Sequence, residues 1–299
     1  MKKLIQLLLL LTFVLVFGFH GCSKNNIPSN CACNQTTNPE KLKQFETEWQ
    51  ELNAKILSFY SQQKIKEATK VAKEALSFSK TTFGEESLKA AVSYNNLGEL
   101  YRLDKKYGDA EWNYKKSLGI REKNLGKQHP DVALTLNNLA SLYFLENRVD
   151  LAQQTYENAA KILESSSSTD NRSLIALLGN LAELYKKQGK FPQAEENYKK
   201  LLVQREKLTG KDDFNYARTL NDLGTIYFFE HKFKEAEPFF RQTLTILEGK
   251  LGKNHPTTLA VLENLAEVCK KTGKDAEAKI LQTRITNIQK APQVTPPTS

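Results

Sequence analysis

One five-residue string recurs along the chain at a fixed interval. "LGELY", "LASLY", "LAELY", "LGTIY" and "LAEVC" begin at Leu97, Leu139, Leu181, Leu223 and Leu265, each 42 residues after the one before. Ala110, Ala152, Ala194, Ala236 and Ala278 keep the same interval, and one further step back reaches Ala68. There Lys55 stands in place of the leucine, so five clear copies follow one degenerate copy. A period of this length marks a repeat whose unit cannot bury its apolar face alone and must stack on its neighbours.

Within a copy, Tyr94, Leu97, Gly98 and Tyr101 follow the i, i+3, i+4, i+7 spacing of one helical face. After "DKKYGD", Tyr107, Ala110, Tyr114 and Leu118 line a second such face, so each copy predicts two helices joined by a short turn. Nine prolines, fourteen glycines and almost no strand-type alternation point to helix nearly throughout. Small residues at Gly98, Ala140, Ala182, Gly224 and Ala266, with the recurring alanines, allow close approach of the two axes. Tyr114, Tyr156, Tyr198 and Phe240 are expected to fill the gap to the neighbouring hairpin. In the links, Gly126 and Gly252 suit a left-handed helix end, and Pro130 and Pro256 suit a first helical position. His129 and His255 read as capping residues, His231 as a turn residue, and "SSSST" from Ser165 as the most mobile link.

This pattern of leucine, small residue, tyrosine and alanine resembles the tetratricopeptide repeat, in the longer 42-residue form found in kinesin light chain and many bacterial repeat proteins. The resemblance covers about Leu42 to Gln289. It implies an all-α, right-handed superhelical solenoid of about six hairpins over 42–290, with copies anchored near 49–84, 91–126, 133–168, 175–210, 217–252 and 259–290. It also implies a concave groove lined by the first helix of each pair. Asn138 directly precedes the packed Leu139, about 100° round the helix from it. Its period mates are Asn96, Asn180, Asp222 and Asn264. In peptide-binding members of the family an asparagine at this offset faces the groove and holds the backbone of an extended peptide. An amide suits that task because it both donates and accepts. Asp222 loses the donors and suits a basic ligand group instead. The other reading is that these asparagines tie neighbouring repeats together. The preceding residues, Asn95, Asn137 and Asn221, become Gly179 and Glu263 elsewhere and are less regular.

Further round the same helices, Arg102, Phe144, Lys186, Phe228 and Lys270 share one offset, and Leu103, Leu145, Lys187, Phe229 and Lys271 the next. Variation on a constant scaffold suits a surface tuned to one partner. The phenylalanines would then form apolar pockets and the lysines meet acidic groups, unless the phenylalanines simply pack within the array. Glu99, Glu183 and Glu267 read as recognition charges. No phosphate loop, nucleophile motif or metal-ligand spacing occurs, so the sequence supports neither an enzyme nor a cofactor.

The first residues, "MKKLIQLLLLLTFVLVFGFHGC", have a basic start, an apolar run too short for a membrane span and a small-residue end, the layout of a secretory signal over 1–21. The end resembles a bacterial lipobox with Gly21 before a lipidated Cys22, although Phe19 and His20 differ from the usual residues. Plain secretion after cleavage near Ser23 and an uncleaved anchor are the alternatives. Residues 22–41, with Cys31 and Cys33, read as a polar tether, and 291–299 as a disordered tail. The formal charge is +9, and loss of Lys2 and Lys3 lowers it by two. The basic residues are spread rather than clustered, which argues against nucleic acid as partner. The expectation is an exported, non-enzymatic scaffold at a bacterial envelope membrane that binds a protein or peptide. The rivals are an assembly factor for a secretion, pilus or outer-membrane complex acting through the convex surface, and an anionic-polymer binder.

Overall fold

A computed structural model describes residues 39–166 and 172–290. The expected signal, Cys22, Cys31, Cys33, most of the serine-rich link and the tail from 291 lie outside the described residues. Among those described, every regular element is helical: α1 Pro39–Ser61, α2 Ile65–Phe83, α3 Leu88–Leu103, α4 Tyr107–Leu125, α5 Pro130–Leu145, α6 Val149–Ser165, α7 Arg172–Lys187, α8 Phe191–Thr209, α9 Phe214–Phe229, α10 Phe233–Leu251, α11 Leu259–Lys271 and α12 Asp275–Lys290. A 3-10 turn, Pro256–Thr258, leads into α11. α1 starts at Pro39, inside the stretch read as tether, because proline fits the first helical position and Glu40 follows in the first turn.

Each hairpin turn is built alike. The second residue after the first helix takes a left-handed conformation at Gln63, Lys105, Asn147, Gly189, His231 and Gly273. The next N–H then reaches back five residues: Lys106 to the Tyr101 carbonyl at 2.9 Å, Arg148 to Tyr143 at 2.8 Å, Lys232 to Tyr227 at 2.8 Å. This is a Schellman closure, which satisfies carbonyls that a helix end leaves bare. The second helices end differently, at Gly84, Gly126, Gly210 and Gly252, where φ lies between 82° and 101° and ψ between 152° and 174°. Only glycine visits that region freely, so these links need it more strictly than a left-handed turn does.

The first helices are capped by side chains. Ser87 Oγ accepts the Ala90 N–H at 3.1 Å, and Asp213 Oδ1 accepts those of Asn215 and Tyr216 at 2.8 and 3.3 Å. His129 and His255 cap as well, with Pro130 opening α5 and Pro256 opening the 3-10 turn.

The chain divides into two compact units, one ending at Leu177 and the other starting at Leu178. In the first, Ile56, Ala68, Ala72, Ala75, Leu97 and Leu100 share one apolar cluster. Ile56, not Lys55, fills the core of the degenerate copy. In the second, the core runs from Tyr216 and Leu220 through Phe240 to Leu265, Cys269 and Ile285. Tyr114 and Phe240 also pack within their own hairpins, and Phe240 shares a cluster with Leu262 and Leu265 of the next one. Each ring lies on the glycine of its own hairpin: a Cβ added at Gly98 would stand 2.7 Å from the Tyr114 ring, and one at Gly224 2.9 Å from Phe240. Glycine removes the obstacle, so the two helix axes close onto the ring between them.

Candidate peptide-binding face

The first helices carry the residues singled out by the repeat. Asn96 on α3 is only 7% exposed, and its Nδ2 donates to Asn53 Oδ1 of α1 at 2.9 Å. Asn138 on α5 donates in the same way to Asn95 Oδ1 of α3 at 3.0 Å. Consecutive hairpins of the first unit are therefore joined by amide rungs, the later asparagine giving a proton and the earlier one receiving it. The less regular asparagines, Asn53 and Asn95, are thus half of the device. A rung engages an N–H of the later amide and the carbonyl of the earlier one; Asn53 also donates to the Trp49 carbonyl at 2.7 Å, so the half-buried pair of Asn138 and Asn95 is the one with capacity to spare.

In the second unit the pattern changes where Gly179 replaces the receiving asparagine. Asp222 on α9 meets Lys186 Nζ instead, at 3.4 Å, and Lys186 also pairs with Glu183 at 2.5 Å. The sequence assigned Asp222 to a basic ligand group; the cation it meets belongs to this chain. Burial pushes the Asp222 carboxyl up against the opposing pull of Lys186 and Arg218. For Lys186, burial pulls down, but Asp222 and Glu183 more than offset it. Asn180 on α7 and Asn264 on α11 are half-buried, while Asn221 Oδ1 on α9 is buried without a hydrogen bond.

The variable offset has an internal logic. Glu99, 4% exposed, accepts from Arg102 Nε at 2.9 Å and Nη2 at 2.6 Å, and from the Tyr114 hydroxyl at 2.9 Å. Burial would lower the Arg102 pKa, but Glu99 raises it further than burial lowers it. The Tyr114 phenol is pushed up by burial and then by Glu99. One copy on, Ser141 takes the place of the glutamate, bonds the Tyr156 hydroxyl at 2.7 Å, and is followed by Phe144. The next copy returns to a charged set, with Glu183, Lys186 and a Tyr198 hydroxyl 3.2 Å from Glu183. The following one has Thr225 with Phe228, and the last has Glu267 with Lys270 at 3.8 Å. Cation follows carboxylate and phenylalanine follows hydroxyl, so much of the variation answers a neighbour within the same hairpin. Glu99 is a structural charge rather than a recognition charge, because burial and three donors leave it nothing to offer a ligand.

Phe144 is half-buried at the end of α5. Phe228 packs edge-on against Phe233 of its own hairpin, centroids 5.3 Å apart. Phe229, read as its companion, is 56% exposed and stacks on Phe191 at 6.1 Å. Lys270 and Lys271 face outward near Glu267, at 3.8 and 3.7 Å.

Two arginines escaped the sequence reading. Arg121 of α4 is buried and donates to the Asp131 carbonyl at 2.6 Å and to Thr135 Oγ1 at 2.9 Å; burial pulls its pKa down. Two copies later, Arg205 of α8 makes the same pair of bonds to the Asn215 carbonyl and Thr219 Oγ1. Burial, helped by Arg218, pushes it down to about 10. The hairpins therefore alternate in type, and the alternation shows only when copies two steps apart are compared. No group of three His, Cys, Asp or Glu side chains suited to a metal occurs among the described residues.

The tetratricopeptide repeat family profile matches residues 52–123, 105–165 and 173–249. The chain belongs to the tetratricopeptide repeat family. Among solved structures, this tetratricopeptide array is similar to the kinesin light chain TPR-like repeats of Podosopora anserina, at 22% identity and a TM-score of 0.61 over 70% of this chain and 100% of that one. It is also similar to BtubC (BKLC) of P. vanneervenii, at 25% identity and 0.62 over 83% and 94%. A third is Pseudomonas aeruginosa pilF, at 14% identity and 0.60 over 83% and 95%, a likeness of fold alone. No curated protein sequence matched. Tetratricopeptide arrays are typically non-enzymatic scaffolds for protein–protein interaction.

Proposed function

We propose that the first helices bind extended segments of a partner protein, with Asn138 in the first unit and Asn180 and Asn264 in the second holding peptide backbone. Phe144, Phe228, Lys186 and Lys270 would shape the surface around them, while the buried Asn96 and the Asp222 paired with Lys186 belong to the scaffold. The observation that supports this is the half-buried rung at Asn138, which spends one N–H of Asn138 and the side-chain carbonyl of Asn95 and leaves the other polar atoms of that pair for a ligand. Side chains read the sequence of the bound segment, and the exposed Phe229 on α9 with the exposed Lys270 and Lys271 on α11 favour one that offers apolar and acidic groups. The scaffold itself is exported, and Cys22 carries the lipid that holds it at a bacterial envelope membrane. The basic and apolar start of the chain supports that reading.

Photo-crosslinking in the native envelope tests the binding face. A crosslinker at Phe144 or Lys270 is expected to capture a discrete polypeptide, and one at Trp112 or Ile280, exposed on second helices, is not. The reverse pattern would transfer the function to the second-helix surface. Mass spectrometry of the mature N-terminus tests the anchor: a diacylated Cys22 supports it, and an unmodified residue beyond Cys22 refutes it.

A further inference from the structure

Two of the links between hairpins close with an imidazole where two others use an oxygen. His129 and His255 hold extended backbone ahead of a proline, with φ, ψ of −78°, 140° and −72°, 136°. In each, Nδ1 accepts the N–H two residues on, from Asp131 and from Thr257, both at 3.1 Å. Ser87 and Asp213 do the same task through Oγ and Oδ1. Nδ1 accepts only while it carries no proton; in the imidazolium both ring nitrogens donate. Protonation therefore removes the cap, orphans a backbone N–H and sets a positive charge at the positive end of a helix. Imidazole is the side chain that ordinarily changes charge between about pH 5 and 8.

We infer that His129 and His255 are acid-sensitive joints, which loosen the starts of α5 and of the turn leading into α11 on acidification while the Ser87 and Asp213 caps hold. The neutral form is the one that caps. The stabilisation is present above the range in which imidazole takes up a proton and is lost as pH falls through it.

The surroundings of the two rings differ. Around His129 stand the Asp131 carboxylate on its own helix, Lys127 in the link and Arg121 from α4, bonded to the Asp131 carbonyl. Around His255 stand Lys253 in the link, Arg284 of α12, which donates to the Lys253 carbonyl, and Glu248 of α10, already paired with Arg284 at 2.5 Å. α5 carries Asn138 and Phe144, and α11 carries Asn264 and Lys270, so loosening falls on helices of the candidate face. The inference stands whether or not a peptide binds there.

Thermal unfolding of the full chain at about pH 7.5 and about pH 5.5 tests it, with His129→Asn, His255→Asn and the double variant beside the parent. Asparagine caps through its side-chain oxygen at either pH. Acidification is expected to lower the parent Tm more than that of the double variant, by about 2 to 4 °C per cap, with each single variant in between. Equal drops would overturn the inference. Hydrogen exchange of the unmutated chain gives a second reading should the variants fold poorly. Segments 129–136 and 255–262 should lose protection at the lower pH relative to 87–94 and 213–220, after correction for intrinsic rates. A uniform loss across all four would also overturn it.

Discussion

Asn138 Nδ2 lies 3.0 Å from Asn95 Oδ1, a bond that spans 43 residues and so runs one residue out of register with the 42-residue period. The rung below it, Asn96 to Asn53, has the same offset but is buried. Asn96→Ala is expected to leave the Asn53 carbonyl without a partner away from water and to cost about 1 to 3 kcal/mol. Asn138→Ala, at a half-buried rung, should cost less. Urea midpoints of the two variants check the order, and a larger loss at Asn138 would contradict it.

The alternation of hairpins makes a transplant possible. Glu99→Ser strands the Arg102 guanidinium, whose side chain is 10% exposed, and should cost about 3 kcal/mol. Adding Arg102→Phe copies the Ser141, Phe144 and Tyr156 set of the next hairpin and should restore stability to within about 1 kcal/mol of the parent. A double variant no more stable than the single one would show that the two sets are not interchangeable.

Lys105 and His231 sit at φ of 59° and 58°, where a Cβ is unfavourable by about 1 to 2 kcal/mol. Part of that is returned as chain entropy when glycine replaces them. Lys105→Gly and His231→Gly should each raise stability by about 0.5 to 1 kcal/mol, matching the Gly189 and Gly273 already present at the same turn position. Denaturant titration measures the gain, and a loss at both sites would contradict the turn geometry.

Acid should also act through Glu237. Burial pushes its carboxyl up, but Lys274 at 2.6 Å and Arg241 at 2.7 Å more than offset this and hold it below the usual carboxylate range. A depressed pKa in the folded state means stability that is present above the unfolded value, about 4.3, and lost as pH falls through the folded one. Glu237→Gln should therefore flatten the decline of the melting temperature below about pH 5, a window separate from that of the histidine caps. An unchanged acid limb would show that these contacts contribute nothing.

The period exposed the helices, their turns and their caps because each of those is a local matter of spacing and chemistry, as at Leu97, Gly126 and His129. The rungs were harder to read. A comparison at 42 residues aligns equivalent positions, such as Asn96 with Asn138, whereas bonds form between residues 43 apart. The internal pairing at Arg102, Phe144, Lys186, Phe228 and Lys270 was legible in principle from the residue three positions earlier, which alternates between glutamate and a hydroxyl. Read singly, each of these positions looked like tuning to a partner. The resting place of Tyr114 on Gly98 depends on a helix crossing distance that no single helix encodes.

The bonds of Arg121 to Thr135 and of Arg205 to Thr219 limit how such a chain can change length. Excision of the 42 residues that carry Thr219, 217–258, would bring Val261 into its place. The Arg205 guanidinium would then face a seam of the kind that Leu247 and Val261 now share in the apolar core. Between Arg121 and Arg205, loss or gain of hairpins in twos keeps each remaining arginine opposite a threonine, so in that stretch the heritable module is the pair.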